Sequence, residues 1–411
     1  MRIGIFALTG DPQAGGGYTL ETEILEALAS MTEARVHDLF VYSLESSSQG
    51  EVARSALPTF RIPGPLRRML SPRIRHVARR FMSTVPSKLV PSAFDGGERT
   101  WIHDGVRASK ADLVVSLTPA LFPGPDVPYL TSVWDLQSRL QPAFPEVSGG
   151  NEWERRHALY EKSLGRATRV IVGTVAGKRE VERFYGVAEA NIRVLPYPAP
   201  RLALDAGQRP NLVTAVDSPR SDRYLFYPAQ YWPHKNHVAA LRALRILLDR
   251  GFDFRIVFCG SDKGNKEWIR AEASRMGLSE QVRMDGFVTR DVLISLYKGA
   301  FALVFPSFFG PDNIPPLEAF AIGCPVIAAA VPGAEEQLGE AAILFDPRDP
   351  HAIAAAVMRL ATEPGLRASL VEAGTVRARI RTPASFAKGL FNIIDELAPI
   401  RATWPPAAWS P

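Results

Sequence analysis

Lys235, Asp312, Asn313 and Glu318, with Asp135 upstream, are the residues of this 411-residue chain whose types and spacing suit the grip of a charged leaving group. The last three of the four fall in Phe-Pro-Ser-Phe-Phe-Gly-Pro-Asp-Asn-Ile-Pro-Pro-Leu-Glu-Ala-Phe-Ala-Ile-Gly, from Phe305 to Gly323. Pro315 and Pro316 near one end and Gly323 at the other predict a helix, preceded by a buried strand over 302–305 and a polar loop over 307–313. The first turn of such a helix carries unpaired amides and about half a positive charge, so an anion or a network of sugar hydroxyls can dock on Pro311, Asp312, Asn313 and Ile314. Glu318 then stands one turn further in, beside that ligand. The plainer use of the same residues is a helix cap and a solvated carboxylate.

Lys235 lies in Ala229-Gln230-Tyr231-Trp232-Pro233-His234-Lys235-Asn236-His237, between an apolar strand over 223–228 and an amphipathic helix through Val238, Leu241, Leu244, Leu247 and Leu248. Asn236 is the expected cap of that helix and Gly251 its close. An ammonium at that place suits a diphosphate, whose charge grows as the bond to it breaks. A lysine in a strand–loop–helix turn also has the simpler use of facing water.

The segment 305–323, together with the turn at Lys235, resembles the signature of retaining glycosyltransferases of the GT-B fold, family 4, in a branch found in bacterial polysaccharide assembly. The resemblance runs from residue 1 to about 397 and is strongest over 227–331. It implies an α/β architecture of two Rossmann-like domains facing across a cleft. Residues 1–205 would be the acceptor-side domain and 206–384 the nucleotide-sugar domain, with a final helix within 385–411 packing back on the first. It further implies that Glu318 holds the ribose, that the backbone of Gly286, Phe287 and Val288 meets the base, and that Gln230 stands where the family offers an arginine, which leaves Lys235 as the main cation. Two departures matter. Eight residues before Glu318 is Gly310, where the family has a sugar-binding glutamate, and Trp134 stands where it has a histidine before Asp135. In this branch Asp312 and Asn313 are placed to bond the sugar instead, and Asp135 remains a candidate on the acceptor side or a structural cap.

The rest of the chain agrees with two domains. A hydrophobic share of 46% with 22% charged residues is that of an ordinary globular protein, and the length exceeds what one core usually serves. Apolar runs over 2–8, 112–117, 129–133, 169–173, 254–260, 282–288, 325–330 and 342–345 read as strands. Helical patterns are expected over 151–167, 174–185, 351–360 and 385–397, with a loop-like linker near 200–222. Gly15, Gly16 and Gly17 follow the first strand and allow a ligand phosphate or sugar to approach the backbone, with Thr19 as the cap of the next helix. They lack the Gly-x-Gly-x-x-Gly spacing of dinucleotide dehydrogenases.

Cys259 and Cys324 are far apart, with no zinc or redox spacing, which points to a reducing compartment. No Asp-x-Asp occurs, so the phosphate charge falls to Lys235 and the helix start, and a metal-independent reaction without a cofactor is expected. No run reaches the roughly 18–20 continuous apolar residues of a membrane span, and the first ten residues lack the form of a signal peptide. Between 52 and 94 there are nine basic residues and no acidic one, against a net charge of +5 for the whole chain. That basic stretch, 54–88, suits an anionic membrane surface or a polyprenyl-diphosphate-linked acceptor, or is simply a solvated face; nucleic acid is disfavoured because stacking aromatics are sparse.

The expected function is therefore transfer of a hexosyl group, mannose from its guanosine diphosphate being the first candidate, to a glycan or lipid-linked saccharide at the cytoplasmic face of a membrane. The alternatives are a non-catalytic nucleotide-sugar binder and a GT-B epimerase.

Overall fold

The computed structural model describes residues 1–7, 16–31, 36–44, 56–62, 100–117, 119, 124, 126–208, 224–310, 312–403 and 405. Within them two parallel sheets form. The first has seven strands, β1 Arg2–Phe6, β2 Asp38–Leu44, β3 Thr59–Ile62, β4 Leu113–Ser116, β5 Tyr129–Val133, β6 Arg169–Val172 and β7 Ile192–Val194, in the order β3-β2-β1-β4-β5-β6-β7. The second has six, β8 Tyr224–Pro228, β9 Arg255–Cys259, β10 Val282–Met284, β11 Ala302–Phe305, β12 Val326–Ala329 and β13 Ala342–Phe345, in the order β10-β9-β8-β11-β12-β13. Each sheet reverses its winding beside its first strand, between β1 and β4 and between β8 and β11. At such a switch point the loops after neighbouring strands diverge and leave a crevice.

Burial on both faces explains the near-continuous apolar strands. In β1, Ile3 and Ile5 face one core while Phe6 faces the other. Gly4 between them leaves room for the ring of Tyr42, which stacks on Phe6 with centroids 4.3 Å apart and donates or accepts a 2.7 Å bond at Ser109 Oγ. The helix Gly16–Ser30 covers the Ile3 face with Leu20, Ile24, Leu25 and Leu28.

The same core takes its remaining cover from far along the chain. Phe386, Leu390, Phe391 and Ile394 of the helix Pro383–Asp395 are buried against Ile3, Ile24 and Leu28, and each contributes roughly 1.5–3 kcal/mol of burial. Ion pairs of Glu396 with Arg193 at 2.7 Å and of Arg401 with Asp112 at 2.6 Å hold it there, with a 3.0 Å hydrogen bond between Asp395 and His37 Nε2. This helix opens on Thr382, whose side chain and that of Ser385 cap one another reciprocally.

Several expectations need correction. Thr19 caps nothing, because the helix begins at Gly16 and Thr19 lies inside its first turn. Asn236 precedes the helix His237–Asp249 but makes no side-chain cap; its backbone is left-handed (φ 57°) and its Nδ2 donates to the carbonyls of Pro306 and Pro347 instead. The linker contains a helix, Arg201–Gly207, packed on Ile314–Ile322. A further helix, Leu366–Ile380, was not expected at all. Gly15, Pro311, residues 63–88 of the basic stretch and 209–222 of the linker lie outside the described residues; Arg61, in β3, is exposed.

Candidate nucleotide-sugar cleft

β8 ends at Pro228, and the chain turns through Gln230 to a single 3-10 turn, Pro233–Lys235, before the helix His237–Asp249. The turn is tied by its backbone. Tyr227 Oη, at the buried end of β8, donates to the Lys235 carbonyl at 2.7 Å, and Phe308 N donates to the His234 carbonyl at 2.9 Å. The Lys235 ammonium sits 5.4 Å from the centre of the Phe305 ring and makes no ion pair among the described residues. Burial lowers its pKa to about 8, against the pull of the carboxylates of Asp135 and Glu146, which favour the charged form.

β11 ends at Phe305, and the loop after it leads to the helix Ile314–Ile322, with Asn313 at the cap position and Gly323 closing it in the left-handed region (φ 83°). Glu318 accepts from Tyr297 Oη at 2.8 Å, and burial raises its pKa in spite of that bond. Asn313 is already engaged: Nδ2 donates to the Phe309 carbonyl at 2.9 Å, and Gln337 brackets its peptide at 3.2 and 3.0 Å.

Gly310 has a physical reason. A Cβ there would lie 2.6 Å from the Pro332 carbonyl and 3.0 Å from Val331 Cγ2, so the loop as packed has no space for a side chain.

These two turns, the start of the helix Gly16–Ser30 and the end of β5 enclose a cleft of about 430 Å³. Gly17 and Asp135 line it from the first half. Gln230, Lys235, Phe287, Val288, Asp312, Asn313, Ile314 and Glu318 line it from the second. Gly286 does not, although its carbonyl accepts from Gly260 N at 3.0 Å and so shapes the wall. Gln230 is fixed by a 2.9 Å bond from Trp232 Nε1, and Phe287 is exposed at the rim. Asp135 has a structural use, since its Oδ1 accepts from Gln137 N at 3.0 Å and pairs with Arg156 at 3.7 Å.

Asp312 is placed unexpectedly. Its carboxylate crosses to the first half and presses on Gly173 at the end of β6, where a methyl group would overlap it. Neither oxygen meets a hydrogen-bond partner among the described residues. Burial raises its pKa to about 7, eased by Arg381 and reinforced by Glu336 and Glu180.

Sequence reasoning passed over Arg290, Ser261 and Tyr197, which also line the cleft. Arg290 opens a helix two residues after Val288, and that position next to the segment expected to meet the base was the one available signal. The described residues contain no group of three His, Cys, Asp or Glu side chains placed to share a metal, and no described helix is long and apolar enough to cross a membrane.

Two parallel α/β halves with a cleft at their switch points and a C-terminal helix returning to the first half define the GT-B fold. Sucrose-phosphate synthase from Thermosynechococcus elongatus has that fold with a TM-score of 0.71 at 19% identity, over 97% of this chain and 100% of that one. Alr3699/HepE of Anabaena, solved with UDP and glucose, gives 0.65 at 16% identity over 97% of this chain and 100% of that one. Within the fold, residues 209–377 match the family described as Glycosyl transferases group 1. The D-inositol 3-phosphate glycosyltransferase of Acidothermus cellulolyticus is 28% identical over 222 residues, 52% of this chain and 49% of that protein. The chain thus spans about half the length of the curated relatives it matches.

Proposed function

We propose that the protein is a retaining hexosyltransferase that binds a nucleoside-diphosphate sugar in this cleft and passes the sugar to a glycan or lipid-linked saccharide of the cell surface. The observation that carries the reading is the juxtaposition of Lys235, half-buried and without an ion pair among the described residues, with the positive start of the helix Ile314–Ile322, where Ile314 keeps a backbone N–H and Pro315 and Pro316 have none. A diphosphate between them meets preorganised positive charge that strengthens as its own charge grows. Glu318 is the ribose ligand and Phe287–Val288 the wall for the base. The acceptor hydroxyl oxygen attacks the anomeric carbon on the face from which the diphosphate departs. The bond to the phosphate oxygen breaks, and that oxygen takes the hydroxyl proton.

In this division of labour residues 1–205 serve the acceptor and 206–384 the donor. A membrane-facing role at the cytoplasmic leaflet rests on the basic composition of 54–88. GDP-mannose is the first donor to test, and UDP-glucose the second because of the Anabaena relative. A non-catalytic binder is the second reading, supported by the absence of any side chain at Gly310.

Thermal shift against a panel of nucleotide sugars, followed by incubation with membrane lipid extracts, decides between these. The true donor raises the melting temperature by mass action and is consumed with lipid-linked product, with or without EDTA. Binding without turnover would support the second reading, and no shift with any nucleotide would end the first.

A further inference from the structure

Residues 137–148 of the first half form two short helices, Gln137–Leu140 and Pro145–Ser148, and reach both donor-side loops of the second. Gln137 Nε2 donates to the Gly310 carbonyl at 3.0 Å and Gln141 Nε2 to that of Phe308 at 2.7 Å. Glu146 goes deepest. Its Oε1 accepts from the backbone N–H of His234 at 2.9 Å and faces Nδ1 of the same residue at 2.5 Å, the side chains being 5% and 11% exposed. An ionised carboxylate only accepts, so Nδ1 carries the hydrogen. The imidazole is held on its flat side as well, stacked on Phe309 with centroids 3.9 Å apart and planes 8° apart, and Phe144 meets Phe309 edge-on at 5.2 Å.

We propose that Glu146 is a positioning residue for the diphosphate site: by gripping His234 from the opposite half, it fixes the turn that presents Lys235 and completes the site only when the two halves are closed. This rests on the reading of Lys235 as the diphosphate cation. A single 3-10 turn followed by a left-handed asparagine has little order of its own, so its geometry depends on outside ties. The ties from Tyr227 and Phe308 belong to the second half and persist in any arrangement of the two. The tie from Glu146 does not, and an open molecule loses it.

Its charge adds a second effect. The charged groups facing Lys235 are the carboxylates of Asp135 and Glu146, and the neighbouring imidazoles of His234 and His237 are neutral at pH 7, burial lowering them to about 4 and about 3. Removing the charge of Glu146 while keeping its hydrogen bonds moves the deprotonation of Lys235 to lower pH. A residue that only glues the halves together would not do this.

Calorimetric titration of the full chain with UDP and with GDP tests the proposal. Glu146→Ala is expected to raise Kd at least tenfold for whichever nucleotide the parent binds. Glu146→Gln, whose amide oxygen accepts both bonds, should stay within threefold at pH 7 while its alkaline loss of binding begins at lower pH. Glu146→Asp, too short to meet both donors, should bind as weakly as the alanine variant and stands in for it should that variant not fold. A lowered melting temperature with unchanged Kd in Glu146→Ala or Glu146→Asp would overturn the inference. If Lys235→Ala loses binding while Glu146→Ala and Glu146→Asp keep it, only this inference fails; if Lys235→Ala binds as the parent does, the reading of Lys235 fails with it.

Discussion

The two halves follow one plan of parallel strands wrapped by helices, yet they present different chemistry at the ends of their strands. The second half offers an ammonium, the positive start of the helix Ile314–Ile322 and a buried carboxylate. The first offers glycine, leucine, an indole and a tyrosine, with Asp135 tied to Gln137 N and Arg156. The second half carries its charged cleft residues in two short stretches, at 235 and at 312–318. The half that faces it contributes shape, and its ties to the donor loops come from glutamines and Glu146.

The largest expected effect comes from the cation. Lys235→Ala should cut turnover by about 10²–10³, the usual cost of losing one preorganised charge at a developing anion, and weaken donor binding by tenfold or more. Equal rates in the variant and the parent would break the contrast between the halves. Affinity in the parent should also fall as pH rises through about 8, because the ammonium is charged only below that value.

Next is Gly310→Ala, which asks whether the donor loop is as tightly packed as the clash with Pro332 implies. Overpacking of this kind costs about 1–3 kcal/mol, and the midpoint of urea unfolding measures it. An unchanged midpoint would mean that the loop yields easily.

Glu318→Gln should weaken ribonucleotide binding about tenfold and 2′- or 3′-deoxy analogues less, in the manner of a charge-assisted bond to a hydroxyl. Loss of the same size for the ribonucleotide and for its deoxy analogues would remove Glu318 from the ribose.

The smallest effect is a slope. Asp312 holds its proton in the folded chain up to about 7 and in the unfolded chain only to 3.8, so the native form binds the extra proton between those values and its stability falls as pH rises through them. Asp312→Asn should flatten that part of the curve and leave the share of Glu23 and Glu180, both raised to about 7 by burial. Denaturant unfolding at pH 5 and pH 8 compares the slopes; equal slopes in variant and parent would place Asp312 in water.

Much of the fold was legible because apolar strands end abruptly at glycine, proline or a charge: the expected runs at 129–133, 302–305 and 342–345 coincide with β5, β11 and β13. The helix Leu366–Ile380 escaped notice because its buried side is made of Leu370, Gly374 and Ala378, small residues that leave no apolar stripe, while Val376 and Ile380 point outward. Thr19 and Asn236 were misassigned for a related reason. A short polar side chain can cap a helix, but it bonds whatever its fold brings near, and for Asn236 these are carbonyls 70 and 111 residues away. The local motifs at 235 and 312–318 could be read as a possible anion site from composition and helix chemistry alone. Glu146 could not, because its partner lies 88 residues further on and nothing around it in sequence marks it.

The return of the helix Pro383–Asp395 into the first half has a mechanical consequence. The polypeptide passes between the lobes twice, once before β8 and once near Thr382, and Ala199 N donates to the Arg381 carbonyl at 2.8 Å, so the two crossings brace one another. Cutting the chain before Pro383 would therefore not trim an appendage. It would strip Phe386, Leu390, Phe391 and Ile394 from the lobe built by the opening strand, and that lobe would be the one to melt.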